Sequence, residues 1–130
     1  MHAYPFEKLN VWQCGRTLNK HVYNISKRLP DDEKFGLVSQ IRRASISVTN
    51  NIAEGNARMK GKEQARFSEI AYGSLMEVLN LLIVAVDLHY INQIELQQIR
   101  PIIEDVSKKI NALRRSQLEK HQKQKKTSSP

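Results

Sequence analysis

Phe67-Ser68-Glu69-Ile70-Ala71-Tyr72-Gly73-Ser74-Leu75-Met76-Glu77-Val78-Leu79-Asn80-Leu81-Leu82-Ile83-Val84-Ala85-Val86-Asp87-Leu88 decides the fold of this 130-residue chain. Apolar or small residues recur at Phe67, Ala71, Ser74, Leu75, Val78, Leu81, Leu82, Ala85 and Leu88. Steps of three and four are the signature of a helix buried along one seam. From Leu81 to Val86 every residue is apolar. A helix wet on one face does not need that, so Leu81, Ile83 and Val84 are expected to meet a second dry surface, such as another subunit.

The same spacing recurs on both sides. Val11, Gly15, Leu18, Val22, Ile25 and Leu29 predict a first helix from about Lys8 to Leu29, stopped by Pro30. Val38, Ile41, Ser45, Val48 and Ile52 predict a second from about Asp32 to Glu54, with Gly55 as its C-terminal glycine. The quoted segment belongs to a third, from about Lys62 to Tyr90. Ile99, Ile103, Val106, Ile110 and Leu113 predict a fourth, from about Ile94 to Leu118. Short links between long helices predict an all-α, antiparallel, up-down-up-down four-helix bundle over residues 1–118. Residues 119–130, polar and basic, read as a disordered tail.

Composition agrees. Five glycines, four prolines and 6% aromatics suit helices better than sheet. The single Cys14 excludes an internal disulfide and a cysteine metal cluster, and fits a reducing, cytoplasmic setting. The longest strictly apolar run is six residues, against the roughly 20 needed to cross a bilayer, so no membrane association is expected.

Catalytic signals are sparse. His2, His21, His89 and His121 form no ligand pair at metal spacing. His89 beside Asp87 reads as a wet helix flank more readily than as a proton-transfer pair. Glu54, Glu69 and Glu77 lack the Glu-x-x-His partners that di-iron bundles use. No metal, cofactor or enzymatic activity is expected. Cys14, next to an apolar stripe, reads as a buried inert thiol. Asn51, Glu54 and Glu77 read instead as polar pairing between helices or subunits.

The net charge of +8 and pI near 9.8 favour an acidic partner. Arg58, Lys60, Lys62 and Arg66 surround the link between the second and third helices. Lys108, Lys109, Arg114, Arg115, Lys120, Lys123, Lys125 and Lys126 crowd the C-terminal end with Glu119 as the one acid among residues 108–126. Arg42 and Arg43 add a pair on the second helix. Such clusters suit nucleic-acid phosphates, read by charge and shape more than by sequence. The bland alternative is a solvated helix face.

Phe6-Glu7-Lys8-Leu9-Asn10-Val11-Trp12-Gln13, Leu29-Pro30 and Glu33-Lys34-Phe35-Gly36-Leu37 carry a resemblance. So do Ser39-Gln40-Ile41-Arg42-Arg43-Ala44-Ser45-Ile46-Ser47-Val48, Asn51-Ile52-Ala53-Glu54-Gly55 and Glu69-Ile70-Ala71-Tyr72-Gly73-Ser74-Leu75-Met76-Glu77. Over residues 6–115 the chain resembles the bacterial four helix bundle protein family, also called 23S ribosomal RNA intervening-sequence proteins. The resemblance implies an antiparallel bundle assembled as a ring-like homopentamer. It carries over no catalytic residue. A more distant similarity, at the level of fold, is to the accessory variability proteins of diversity-generating retroelements. It implies a reverse transcriptase as an alternative partner to RNA.

Overall fold

The computed structural model describes residues 1–127. It holds four α-helices: α1 (Asn10–Ser26), α2 (Leu37–Asn56), α3 (Gly61–Asp87) and α4 (Gln93–Thr127). Short 3-10 turns at Pro5–Lys8 and Asp31–Glu33 precede α1 and α2, and no strand occurs among the described residues.

The predicted stripes form the core, except that Leu88 lies past the end of α3 and is exposed. Leu18 and Val22 of α1, Ile41 and Val48 of α2, Leu75, Val78 and Leu82 of α3, and Val106 and Ile110 of α4 are fully shielded from solvent. α3 packs on both α2 and α4. By length and hydropathy it could also cross a membrane; Leu75, Val78, Leu81 and Leu82 line the bundle's interior, whereas Ile70 and Ile83 do not.

Small polar residues set the register between helices. Ser45 Oγ donates to Asn19 Oδ1 at 2.6 Å, and Asn19 Nδ2 donates to Thr49 Oγ1 at 3.2 Å. Gly15 makes room for the Thr49 methyl. The Ser47 and Ser74 hydroxyls meet at 2.8 Å between α2 and α3, and Asn51 Nδ2 donates to the Ser47 carbonyl at 2.8 Å.

The helix ends differ from the sequence reading for identifiable reasons. α2 begins at Leu37 rather than near Asp32, because Gly36 leaves the helical region and Glu33 Oε1 accepts from the Leu37 amide at 3.4 Å. Gly55 is not a terminal glycine. It lies inside α2, where its missing Cβ admits Phe67 of α3. α3 ends at Asp87: His89 has a positive φ of 62°, its amide bonds the Val86 carbonyl and the Tyr90 amide bonds the Ala85 carbonyl. That is the two-bond closure that glycine usually makes. Asn92 and Glu95 cap α4 reciprocally, each side chain accepting from the other's amide.

The largest departure is at the C-terminus. Residues 119–127, expected to be a disordered tail, continue α4 to Thr127; residues 128–130 lie outside the described residues. The extension persists because it has something to hold. Gly61 brings the start of α3 so near α4 that a Cβ there would lie 2.4 Å from the Gln117 carbonyl and 2.6 Å from the His121 amide nitrogen.

Gly61→Ala should therefore lower stability by about 1–3 kcal/mol, since only backbone movement can relieve the overlap. His89→Gly should raise it by up to about 1 kcal/mol by removing the left-handed penalty. Urea unfolding followed by circular dichroism checks both signs.

Candidate nucleic-acid interface

The link between α2 and α3 is short. The Ala57 and Arg58 amides bond back to the carbonyls of Ala53 and Gly55. Lys60 is extended and precedes α3 with no side-chain cap of its own. A helix start leaves backbone donors to satisfy, and α4 supplies an acceptor: Gln124 Oε1 takes the Gly61 amide at 2.9 Å. Gln124 Nε2 donates to the Met59 carbonyl at 3.2 Å, and Gln64 Nε2 to the Arg58 carbonyl at 2.9 Å. One turn deeper, the buried Ser68 hydroxyl donates to Gln117 Oε1 at 2.6 Å. Amide side chains thus clamp the link onto the end of α4.

The clamp joins two basic groups that lie about sixty residues apart in the chain. Lys60 and Lys62 line a groove of ≈ 470 Å³ with His121, Gln124 and Lys125. They also line a second groove, of ≈ 790 Å³, with Arg66 and Leu118. Lys120 Nζ donates to Gln64 Oε1 at 3.4 Å between the two helices. Arg58 lies on the Phe67 ring, its guanidinium carbon 4.9 Å from the centroid. Met59, 85% exposed, stands at the tip. Glu63 and Glu69 border the second groove. Lys123, Lys126 and Arg115 are exposed on α4.

The other nominated cations are placed elsewhere. Arg42 is half-buried between α1 and α2: Nε donates to the Ser26 hydroxyl at 2.8 Å and the guanidinium stacks on Tyr23 at 4.6 Å. Arg43 is exposed on α2. Arg114 binds Glu69 at 2.6 Å, Lys108 binds Glu104 at 3.1 Å and Lys109 binds Asp105 at 2.7 Å. Among the residues expected to pack helices or subunits, Leu81 lies in the chain's own core. Ile83, Val84, Glu54 and Glu77 lie on outer faces of α3 and α2, Val84 half-covered and the rest exposed. No group of three or more His, Cys, Asp and Glu side chains that could hold a metal occurs among the described residues.

Sequence reasoning missed the amides. Gln64, Gln117 and Gln124 carry no motif. The one available signal was Gly61 at a helix start, where a close approach is a natural use of glycine. Reasoning from sequence also missed Phe35, 91% exposed beside Lys34.

Residues 7–112 match the family described as 23S rRNA-intervening sequence protein. No curated protein matches the chain.

Gln124→Ala should cost about 0.5–1.5 kcal/mol, since it removes an acceptor and a donor at once. It should also speed hydrogen exchange at the Gly61 amide far more than at Leu82, read residue by residue by NMR.

Proposed function

The chain belongs to the 23S rRNA-intervening sequence protein family, and on that premise we propose that it is a non-enzymatic, oligomeric basic protein that binds structured RNA through phosphate contacts. The observation that carries the reading is the convergence of Lys60, Lys62, Arg66 and Lys125 around one pair of grooves, with Lys120 bonded to Gln64 across the same two helices. Clustered cations release condensed counterions when they meet phosphates, and that release is the main sequence-independent source of affinity. Exposed grooves at a helix junction present the charge to a folded backbone.

The proposal takes the bundle as antiparallel and the assembly as a ring-like homopentamer in the cytoplasm. Two sets of facts support it. Contacting residues run in opposite senses on successive helices, as in Gly15 with Thr49 and Ser26 with Arg42, or Gly55 with Phe67 and Ser47 with Ser74. The outer face of α3 also carries Ile70, Gly73 and Ile83 exposed and Val84 only half-covered by the chain itself. Repetition around an axis would turn weak single contacts into avid ones.

Gel-shift titration against a hairpin RNA at rising salt tests binding. Affinity should fall steeply with salt, and Lys60→Gln/Lys62→Gln/Arg66→Gln should weaken it at least about tenfold and flatten the slope. Lys108→Gln, at an ion-paired site, should change little. Binding indifferent to salt or to the triple change overturns the reading. A stoichiometric protein partner surviving nuclease treatment points instead to a scaffold role, such as docking a reverse transcriptase.

Light scattering tests assembly. A Cβ at Gly73 would meet nothing within 4 Å beyond its own helix turn, so Gly73→Arg should keep the helical signal while dissociating the oligomer. Val84→Glu should do the same. A monomeric wild type rejects the ring.

A further inference from the structure

Cys14 on α1 and Lys109 on α4 are 95 residues apart in the chain, yet Lys109 Nζ lies 3.2 Å from Cys14 Sγ. The same ammonium is 2.7 Å from Asp105 Oδ2, one turn back on α4. On the other side, Sγ donates to Asn10 Oδ1 at 3.2 Å. The thiol is therefore not the fully buried group its stripe suggests. It is half-buried, at the edge of an open recess of ≈ 260 Å³ walled by Thr17, Pro101, Ile102 and Asp105. A small neutral oxidant has room to reach the sulfur. The Lys109 hydrogen bond holds the Asp105 carboxyl below its usual range, and in return Asp105 and then Cys14 raise the Lys109 ammonium. The amine rests charged, with protons directed at both neighbours.

We propose that Cys14 and Lys109 form an oxidant-triggered covalent latch that ties α1 to α4, with hydrogen peroxide as the reactant class. The thiol first loses its proton to solvent, 3.2 Å from the Lys109 nitrogen. The thiolate attacks one peroxide oxygen and the O–O bond breaks. The departing hydroxide takes a proton from Lys109 and leaves as water. Cys14 is now a sulfenic acid and Lys109 a neutral amine in contact with it. The nitrogen lone pair attacks sulfur, the S–O bond breaks, and hydroxide takes a proton from nitrogen and leaves as a second water. The product is an S–N bond, the sulfenamide chemistry open to sulfenic acids next to nitrogen. Sulfur is oxidised by two electrons and peroxide is reduced by two. A free thiol restores both residues by attacking sulfur. Lys109 acts twice, as proton donor and then as nucleophile. Asp105 positions it.

The test is peroxide treatment of the full chain, followed by intact mass and peptide mapping without reductant. The expected product is lighter than the reduced chain by two hydrogen atoms, contains a Cys14 peptide joined to a Lys109 peptide, and reverts with thiol. Lys109→Arg keeps the charge but lacks the nucleophile. It should gain oxygen at Cys14 with no joined peptide, while its circular dichroism before oxidation matches wild type. Cys14→Ser should give neither product. Wild-type chain that only gains oxygen at Cys14, or that forms a disulfide between copies at the rate of Lys109→Arg, overturns the latch.

Discussion

The burial of α3 is the constraint on which the rest of the molecule depends. Leu75, Val78 and Leu82 are shielded completely, and each contributes about 1.5–3 kcal/mol on leaving water. One neighbour cannot cover a helix so apolar. α3 therefore lies against both α2 and α4, and the stripes of those helices close over it. Once α3 is placed, the link that feeds it and the end of α4 must share one end of the bundle. The candidate interface follows from where the hydrophobic load sits.

Charge does not build that interface. Bringing Lys60, Lys62 and Lys125 around common grooves is repulsive. Backbone proximity at Gly61 and the amides of Gln64, Gln117 and Gln124 hold the two segments together. The long basic side chains keep their heads in water, where salt screens them over about 8–10 Å. Such a surface gains when an anion arrives, since the bound phosphate removes repulsion that the fold already tolerates.

The four helices were legible because periodicity reports burial directly, and burial formed them. Their ends were less so. Gly55 looks like a stop signal, and only the Phe67 ring pressed against it shows why the helix needs glycine there. The last nine described residues read as a tail, because glutamine and lysine carry no apolar signal. Their order comes from partners about sixty residues upstream, which no local pattern encodes. Both basic groups were visible in the sequence, whereas their union required α4 to run past residue 118. Arg42 shows the converse. It counts as a cation in any tally, yet Tyr23 and Ser26 fix it between helices, where its stem packs and its charge stacks.

That distinction decides which of the many cations can attract a distant polyanion. Lys108, Lys109 and Arg114 each sit within 3.1 Å of a carboxylate. Exposed pairs of this kind contribute only about 0–1 kcal/mol to stability, so they do not explain the fold. Beyond a Debye length, however, such a pair adds almost nothing to the field. What reaches out is the local excess of positive over negative charge. Across the middle of α4, the acids Glu104 and Asp105, with Glu69 of α3, offset the bases. At the link and along residues 119–126 the bases Arg58, Lys60, Lys62, Arg66, Lys120, Lys123, Lys125 and Lys126 outnumber Glu63 and Glu119. Association should accordingly begin at that end of the bundle, with the paired cations joining only after contact, when a phosphate can displace a carboxylate at little cost.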